Sequence, residues 1–156
     1  MDTRKFAICT IAASLLVLAG CATSPEAEHK RQEMEADIDD ILSQHVDPLE
    51  YGEPKSCLME NSIRRYRALG TRHVLFEGRQ GQLWVNTLRG RCSGLDRDSI
   101  FIMRPKLSGR FCDMDLFSVV DRIGTSLPAA PNCSLGEFKP ITEAQLKEVE
   151  ARLEMR

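Results

Sequence analysis

The sequence has no C-x-x-C pair and no C-x-x-C-H, which excludes a thioredoxin-like redox centre and c-type haem attachment. A structural zinc site also wants closely spaced ligands, and Cys57, Cys92, Cys112 and Cys133 stand 35, 20 and 21 residues apart. Histidine is scarce. Of the three, His29 and His45 lie in an acidic stretch, so His73 is the one imidazole between residues 55 and 140. A histidine base needs a nucleophile and an orienting carboxylate, and nothing places Ser62 or Ser99 beside it. His73 therefore reads as a partly exposed strand residue. The single tryptophan, Trp84, reads as core, with Phe76, Phe101, Phe111, Phe117 and Leu83 to pack against. The run from Phe6 to Ala19, broken only by Thr10 and Ser14, is too short to span a bilayer permanently.

That run is the right length for the core of a signal peptide, and Arg4 and Lys5 precede it. It ends in Leu18-Ala19-Gly20-Cys21, which resembles the lipobox of bacterial lipoproteins. The resemblance implies removal of residues 1–20 and lipid attachment at Cys21, through a palmitate-like acyl set. Several acyl chains on one residue hold a membrane far better than one.

Charge then divides the chain. Residues 22–54 carry ten acids against Lys30 and Arg31, a net of −8, whereas residues 55–140 carry fourteen Lys/Arg against eight Asp/Glu, a net of +6. Such asymmetry describes surface and partners, not fold. The acidic arm either solvates itself or competes with a partner for the basic region.

Within the arm, residues 21–54, Met34, Ile38, Ile41 and Leu42 recur at helical steps, with Glu33, Glu35, Asp37, Asp39 and Asp40 on the other face. A helix is predicted from about Glu28 to Gln44, narrow in its stripe and weakly docked. At the other end, Thr142 and Gln145 form a capping box and Ile141 and Leu146 a hydrophobic staple, opening a helix over 143–155 in the segment 141–156. The two amphipathic helices can pack together, against one sheet, or against a second copy.

Between residues 55 and 140, period-two alternation predicts strands at Ser62–Leu69, His73–Phe76, Leu83–Leu88, Ser99–Met103, Arg110–Cys112, Leu116–Val120 and Leu135–Phe138. Turns fall at Gly78–Gly81 and Ser108-Gly109. The expected fold is mainly β: a small twisted antiparallel sheet or partly closed barrel with N- and C-terminal amphipathic helices. Four cysteines in an exported domain read as a disulfide framework. Three pairings are open. Cys92–Cys112 with Cys57–Cys133 is favoured, the second joining the neighbouring first and last strands of a barrel. Loop entropy assigns about 3 and about 4.5 kcal/mol to them.

Beyond the lipobox, Cys57-Leu58, Trp84–Leu88, Arg91-Cys92-Ser93-Gly94-Leu95, Arg110–Asp115 and Cys133-Ser134-Leu135-Gly136 resemble an uncharacterised family of four-cysteine proteobacterial lipoproteins, a domain of unknown function. The likeness covers residues 55–140 and the export signal. It implies a disulfide-tied, largely β periplasmic domain on a lipid tether, and it carries no catalytic residues. Ala22 stands where inner-membrane retention would want aspartate, so the implied address is the periplasmic face of the outer membrane.

The remaining candidates are charged. Asp113 and Asp115, with Asp96 and Asp98, could form a cation or hydrolase carboxylate pair if both lay on one side of an extended segment. An EF-hand would need many more ligands. No metal, cofactor or nucleic acid is expected, and the chain reads as a non-catalytic binding or adaptor module, or a structural accessory. Arg64, Arg65 and Arg67 in one strand, with Arg91, are the candidate contacts for an anionic envelope component or acidic protein surface. Arg72, Arg79, Arg89, Arg104, Lys106 and Arg110 lie around nearby turns.

Overall fold

In a computed structural model, residues 24–103, 109–120 and 133–155 are described. Cys21 and its lipobox, Arg104, Lys106 and Ser108 lie outside the described residues. Helix α1 spans Pro25–Ser43, and the short α2 spans Pro48–Tyr51. Strands β1 (Cys57–Met59), β2 (Ile63–Ala68), β3 (His73–Gly78) and β4 (Leu83–Thr87) follow. Next come β5 (Ile100–Met103), β6 (Arg110–Cys112), β7 (Leu116–Val120), β8 (Cys133–Ser134) and β9 (Phe138–Pro140), then α3 (Glu143–Glu154). No described helix is long and apolar enough to cross a membrane.

The strands form three separate antiparallel sheets, ordered β2-β3-β4-β9, β5-β7-β8 and β1-β6, not one sheet closing into a barrel. The reason lies in β3, whose six residues are all buried. Val74 and Phe76 face a core shared with Trp84, Phe101, Phe111, Phe117 and Phe138. Leu75 faces a second core with Val85, Ile38, Ile41, Leu42, Val149 and Leu153. A sheet apolar on both faces must be covered on both. The helices cover one face of the four-stranded sheet, and the smaller sheets cover the other. The fold is therefore mixed α and β in layers.

Tyr66, Phe76, Phe101 and Phe111 pack the core between the four-stranded sheet and the smaller sheets, with ring centroids 5.3 Å apart for Tyr66–Phe101 and 5.8 Å for Phe76–Phe111. Trp84 is buried as expected, and the Lys55 ammonium lies 5.5 Å from its ring centroid.

The capping box at α3 is present. The Gln145 backbone N–H donates to Thr142 Oγ1 at 3.1 Å, and the Thr142 N–H donates to Gln145 Oε1 at 2.9 Å. The same Gln145 side chain donates through Nε2 to the Ile41 carbonyl at 3.0 Å, so one residue starts α3 and fastens the end of α1. Helix α1 begins three residues earlier than its periodicity suggests, because Ser24 caps it and Pro25 occupies its first turn. It is not weakly docked: Ile38, Ile41 and Leu42 are buried in the second core.

The strand predicted at Leu135–Phe138 does not form as such: β8 ends at Ser134, Leu135–Glu137 is a break, and β9 begins at Phe138. At that break the Asn86 amide brackets Gly136, donating to its carbonyl at 2.6 Å and accepting from its N–H at 2.8 Å. A Cβ on Gly136 would collide with the Thr87 carbonyl oxygen.

The disulfides join Cys57 to Cys112 and Cys92 to Cys133, not Cys92 to Cys112 and Cys57 to Cys133. Cys57 sits directly opposite Cys112 in the β1–β6 pair. Cys92 lies in the loop after β4 and reaches β8 in the three-stranded sheet. The barrel does not close: β2, the predicted first strand, and β9 lie at opposite edges of the four-stranded sheet. Although Lys55 bridges Phe138, Cys57 enters the β1–β6 pair, which removes the basis of the expected pairing.

Candidate functional site

Strand β2, an edge of the four-stranded sheet, carries Arg64, Arg65 and Arg67. Arg65 and Arg67 alternate with Tyr66, which turns into the aromatic core. Strict alternation would send Arg64 to the opposite face from Arg65. A register shift between Ile63 and Arg65 inserts one extra residue, and a bulge of this kind re-aims a side chain. All three guanidinium groups consequently reach one carboxylate. Glu77 Oε2 accepts from Arg65 Nε at 2.7 Å and Arg64 Nη2 at 3.1 Å, and Arg67 Nε lies 3.7 Å from Oε1. Arg67 also pairs with Glu150 of α3.

Glu77 side-chain exposure is 9%, against 61% for Arg64 and 59% for Arg65. Burial pushes the Glu77 carboxyl up, but Arg65 and Arg64 outweigh it and hold the group below its ordinary value. Arg65 is held correspondingly above its own by its hydrogen bond to Glu77. A single buried anion thus gathers three cations and leaves two of them facing solvent.

Arg91 does not join this group. It binds Glu35 through Nε at 3.1 Å and Nη2 at 2.8 Å, and Glu28 through Nη1 at 3.0 Å. Thr71 Oγ1 donates to Glu35 Oε1 at 2.9 Å. Arg91's hydrogen bond lowers the Glu28 pKa, and Glu28 raises that of Arg91. The acidic arm therefore takes Arg91 for itself. Of the expected contacts, Arg64, Arg65 and Arg67 converge, and Arg91, in the loop after β4, stands apart, paired with α1.

His73 is buried, not partly exposed, and its Nε2 lies 3.0 Å from Asp39 Oδ1. Arg72 Nη1 donates to Asp39 Oδ2 at 2.9 Å. Burial pushes the imidazole below its ordinary pKa, against the pull of Asp39. No described nucleophile hydrogen-bonds to the ring, so the pair fastens α1 to the sheet.

The carboxylate pair does not assemble. Met114 adopts φ 68°, so Asp113 and Asp115 lie on a turn and not along an extended strand. Asp113 accepts both Nε and Nη2 of Arg89, at 3.0 and 2.8 Å, and its pKa falls because of that contact. Asp115 is buried, and its Oδ2 accepts the Cys112 N–H at 2.8 Å. Asp96 Oδ1 is occupied by the Asp98 N–H and Ser99 hydroxyl, both at 2.9 Å. Among the described residues no three His, Cys, Asp or Glu side chains gather as a metal site.

A family model, described as a family of unknown function (DUF6491), matches residues 4–155. The chain belongs to the DUF6491 family. The match runs from residue 4 through both long helices and the whole β region. Comparison with curated proteins and with solved structures finds no match.

Sequence reasoning missed Glu35 and Asp39, both assigned to the solvent face of the arm. Glu28, Glu35 and Asp39 follow steps of seven and four, so they flank the Ile38 stripe and meet the core's arginines. The excess of arginine over acid in residues 55–140, beside an acidic helix, is the signal that points to them.

Proposed function

We propose that this DUF6491 protein is a four-cysteine lipoprotein, held through acylated Cys21 on the periplasmic face of the outer membrane, and a non-catalytic adaptor there. Its partner is an acidic surface of a second envelope protein, taken by Arg64 and Arg65. The observation that carries the reading is the bulge in β2, which gives two exposed guanidinium groups a common orientation over buried Glu77. Charge of this kind steers association more than it holds it, and salt screens it over about 8 Å at physiological ionic strength.

A photo-crosslinker at Arg64 in the native, acylated protein tests the reading. An adduct that disappears when Arg65 is changed to Glu, and weakens with added salt, is the expected outcome. Binding to anionic vesicles but not neutral ones, without a protein adduct, would replace the protein partner by lipid phosphate. Changing Cys21 to Ser should leave unprocessed precursor at the inner membrane, and a cleaved, soluble product would refute the anchor.

A second reading has its own observation. Strand β2 is an edge of its sheet, and bulges and charges are common means of preventing edge-to-edge pairing. If Arg64→Ser/Arg65→Ser makes the purified protein self-associate without altering any crosslink, the arginines serve the fold and the protein is a structural accessory.

A further inference from the structure

The two disulfides close loops of similar length, 55 and 41 residues, so loop entropy does not tell them apart. Their surroundings do. Cys92 is fully buried and Cys133 is 5% exposed, both within the core that also holds Phe117 and Leu135. Cys57 and Cys112 are each partly exposed, together at one end of the β1–β6 pair.

The register accounts for the difference. Antiparallel strands alternate between hydrogen-bonded and non-hydrogen-bonded residue pairs. The Asp113 N–H donates to the Ser56 carbonyl at 2.7 Å, and the Glu60 N–H donates to the Gly109 carbonyl at 3.0 Å. By that alternation Cys57 and Cys112 form a non-hydrogen-bonded pair, where facing side chains stand closest, and their Cα atoms are 4.0 Å apart. Leu58 and Phe111 turn into the core, so Cys57, Met59, Arg110 and Cys112 share the opposite face, on which Met59 and Arg110 are exposed. A bond on this face is open to a thiolate from outside. The Cys92–Cys133 bond needs the core to open first.

Charge around the bond is uneven. Arg110 precedes Cys112 by two residues and lies diagonally across from Cys57, and among the described residues no carboxylate pairs with it. A neighbouring guanidinium favours thiolate over thiol. Cys112 is instead followed by Asp113 and Asp115, and Asp115 Oδ2 accepts its N–H at 2.8 Å. Negative charge is therefore better placed on Cys57 than on Cys112. The chain has no C-x-x-C pair, so the reducing thiols come from another molecule.

We propose that Cys57–Cys112 is a thiol–disulfide exchange site for an external dithiol, with Arg110 as its positioning charge, while Cys92–Cys133 is structural. The dithiol's thiolate attacks Cys112 Sγ. A mixed disulfide forms, the Cys57–Cys112 bond breaks, and Cys57 leaves as a thiolate on the face that carries Arg110. The second thiol of the dithiol loses its proton to solvent and attacks its partner sulfur in the mixed disulfide, releasing Cys112, which is protonated from solvent. Two electrons pass from the dithiol, which ends as a disulfide, to the two cysteines. The step removes the covalent tie of a sheet that has only three residue pairs.

Timed reduction of the folded, full-length protein by dithiothreitol tests this, with free thiols blocked beforehand. Samples are quenched in acid, alkylated and mapped by mass spectrometry, and circular dichroism follows the fold. Cys57 and Cys112 should become alkylated at least about tenfold faster than Cys92 and Cys133, with the fold retained. Arg110→Glu should slow that reduction about threefold and leave the second bond unaffected, and Arg110→Gln should act in the same direction. Reduced glutathione, a monothiol, should be captured on Cys112 with Cys57 left free to alkylate. Equal rates for the two bonds, earlier loss of Cys92–Cys133, or reduction of Cys57–Cys112 only on unfolding would overturn the proposal. Unchanged rates in both Arg110 variants, or glutathione on Cys57, would overturn the assigned course of the exchange.

Discussion

Replacing Ile38 by alanine asks what holds the acidic arm to the rest of the molecule. Ile38 is 1% exposed, and its neighbours in the second core come from α1, from the sheet and from α3. Removing a buried isoleucine to the β carbon costs about 2–5 kcal/mol, because the lost transfer energy is joined by a cavity. Ion pairs at the same interface are weaker. Arg91 is 42% exposed and keeps Glu28 when Glu35 is changed to Gln, so that variant should lose only about 1 kcal/mol after solvent screening. Apolar burial should therefore dominate, although the arm carries a net charge of −8. Urea unfolding at low and moderate salt measures both variants. The expected result is a large, salt-insensitive loss for Ile38→Ala and a small loss for Glu35→Gln that shrinks as salt rises. A loss below about 1 kcal/mol for Ile38→Ala would refute the integral arm. By the same reasoning a fragment beginning at residue 55 exposes the second core and should not fold independently.

Non-reducing peptide mapping should yield peptides joining Cys57 to Cys112 and Cys92 to Cys133, and a Cys57–Cys133 peptide would contradict the sheet topology. Their loops span 55 and 41 residues, so each bond should contribute about 4 kcal/mol by loop entropy, measured by paired Cys→Ala variants. Gly136→Ala should destabilise far more than a surface change, seen as a lowered melting temperature, because its Cβ meets the Thr87 carbonyl. Neutral His73 is favoured in the fold, so the unfolded chain binds more protons below its own pKa near 6.5. Stability should be full above that value and decline as pH falls towards the lower folded pKa, by at most about 1.4 kcal/mol per pH unit. Asp39 and Arg72 face the ring and Glu35 also acts on it, and His73→Gln should flatten the slope in that window. Glu28, Glu77 and Asp113, held low, contribute stability that persists to more acidic pH and is lost only as pH falls through their folded values.

Helix α3 was legible in the sequence because its signals are local: Thr142, Gln145 and Ile141 act within one turn. The longer strands were legible for the same reason, as runs of β-branched and aromatic residues bounded by glycine and proline turns. Strands β1 and β8, of three and two residues, are too short to show a period. The disulfide pairing was not legible because it depends on β1 finding β6 across fifty residues of chain, which only the assembled sheets specify. The arginine cluster was half legible. Its residues stand together in one strand, yet alternation alone would have scattered Arg64 from Arg65, and nothing in the local sequence announces the bulge that reunites them.

The proposed adaptor role requires a partner site clear of the proposed anchor, and the layout of α1 bears on that requirement. At 1.5 Å per residue its 19 residues extend about 28 Å from the Ser24 cap. Strand β2 leaves its bulge near Ile63, opposite Gly78, and runs back towards Leu69 and His73, where Asp39 of α1 meets the sheet. Arg67 sits midway, against Glu150 of α3, whereas Arg64 and Arg65 lie further from the Ala27–Met155 end. The groove between α1 and α3 and the arginine pair thus occupy different ends of the fold, joined through the buried Ile38, Leu75 and Val149. If Cys21 is acylated as proposed, Arg64 and Arg65 lie at the end further from Ser24 and are left to meet a protein. The neutralisation of Arg91 by Glu28 and Glu35 follows the same logic. On the proposed anchoring, an unpaired arginine here would compete for lipid phosphate, and Glu28 and Glu35 hold Arg91 within the fold instead.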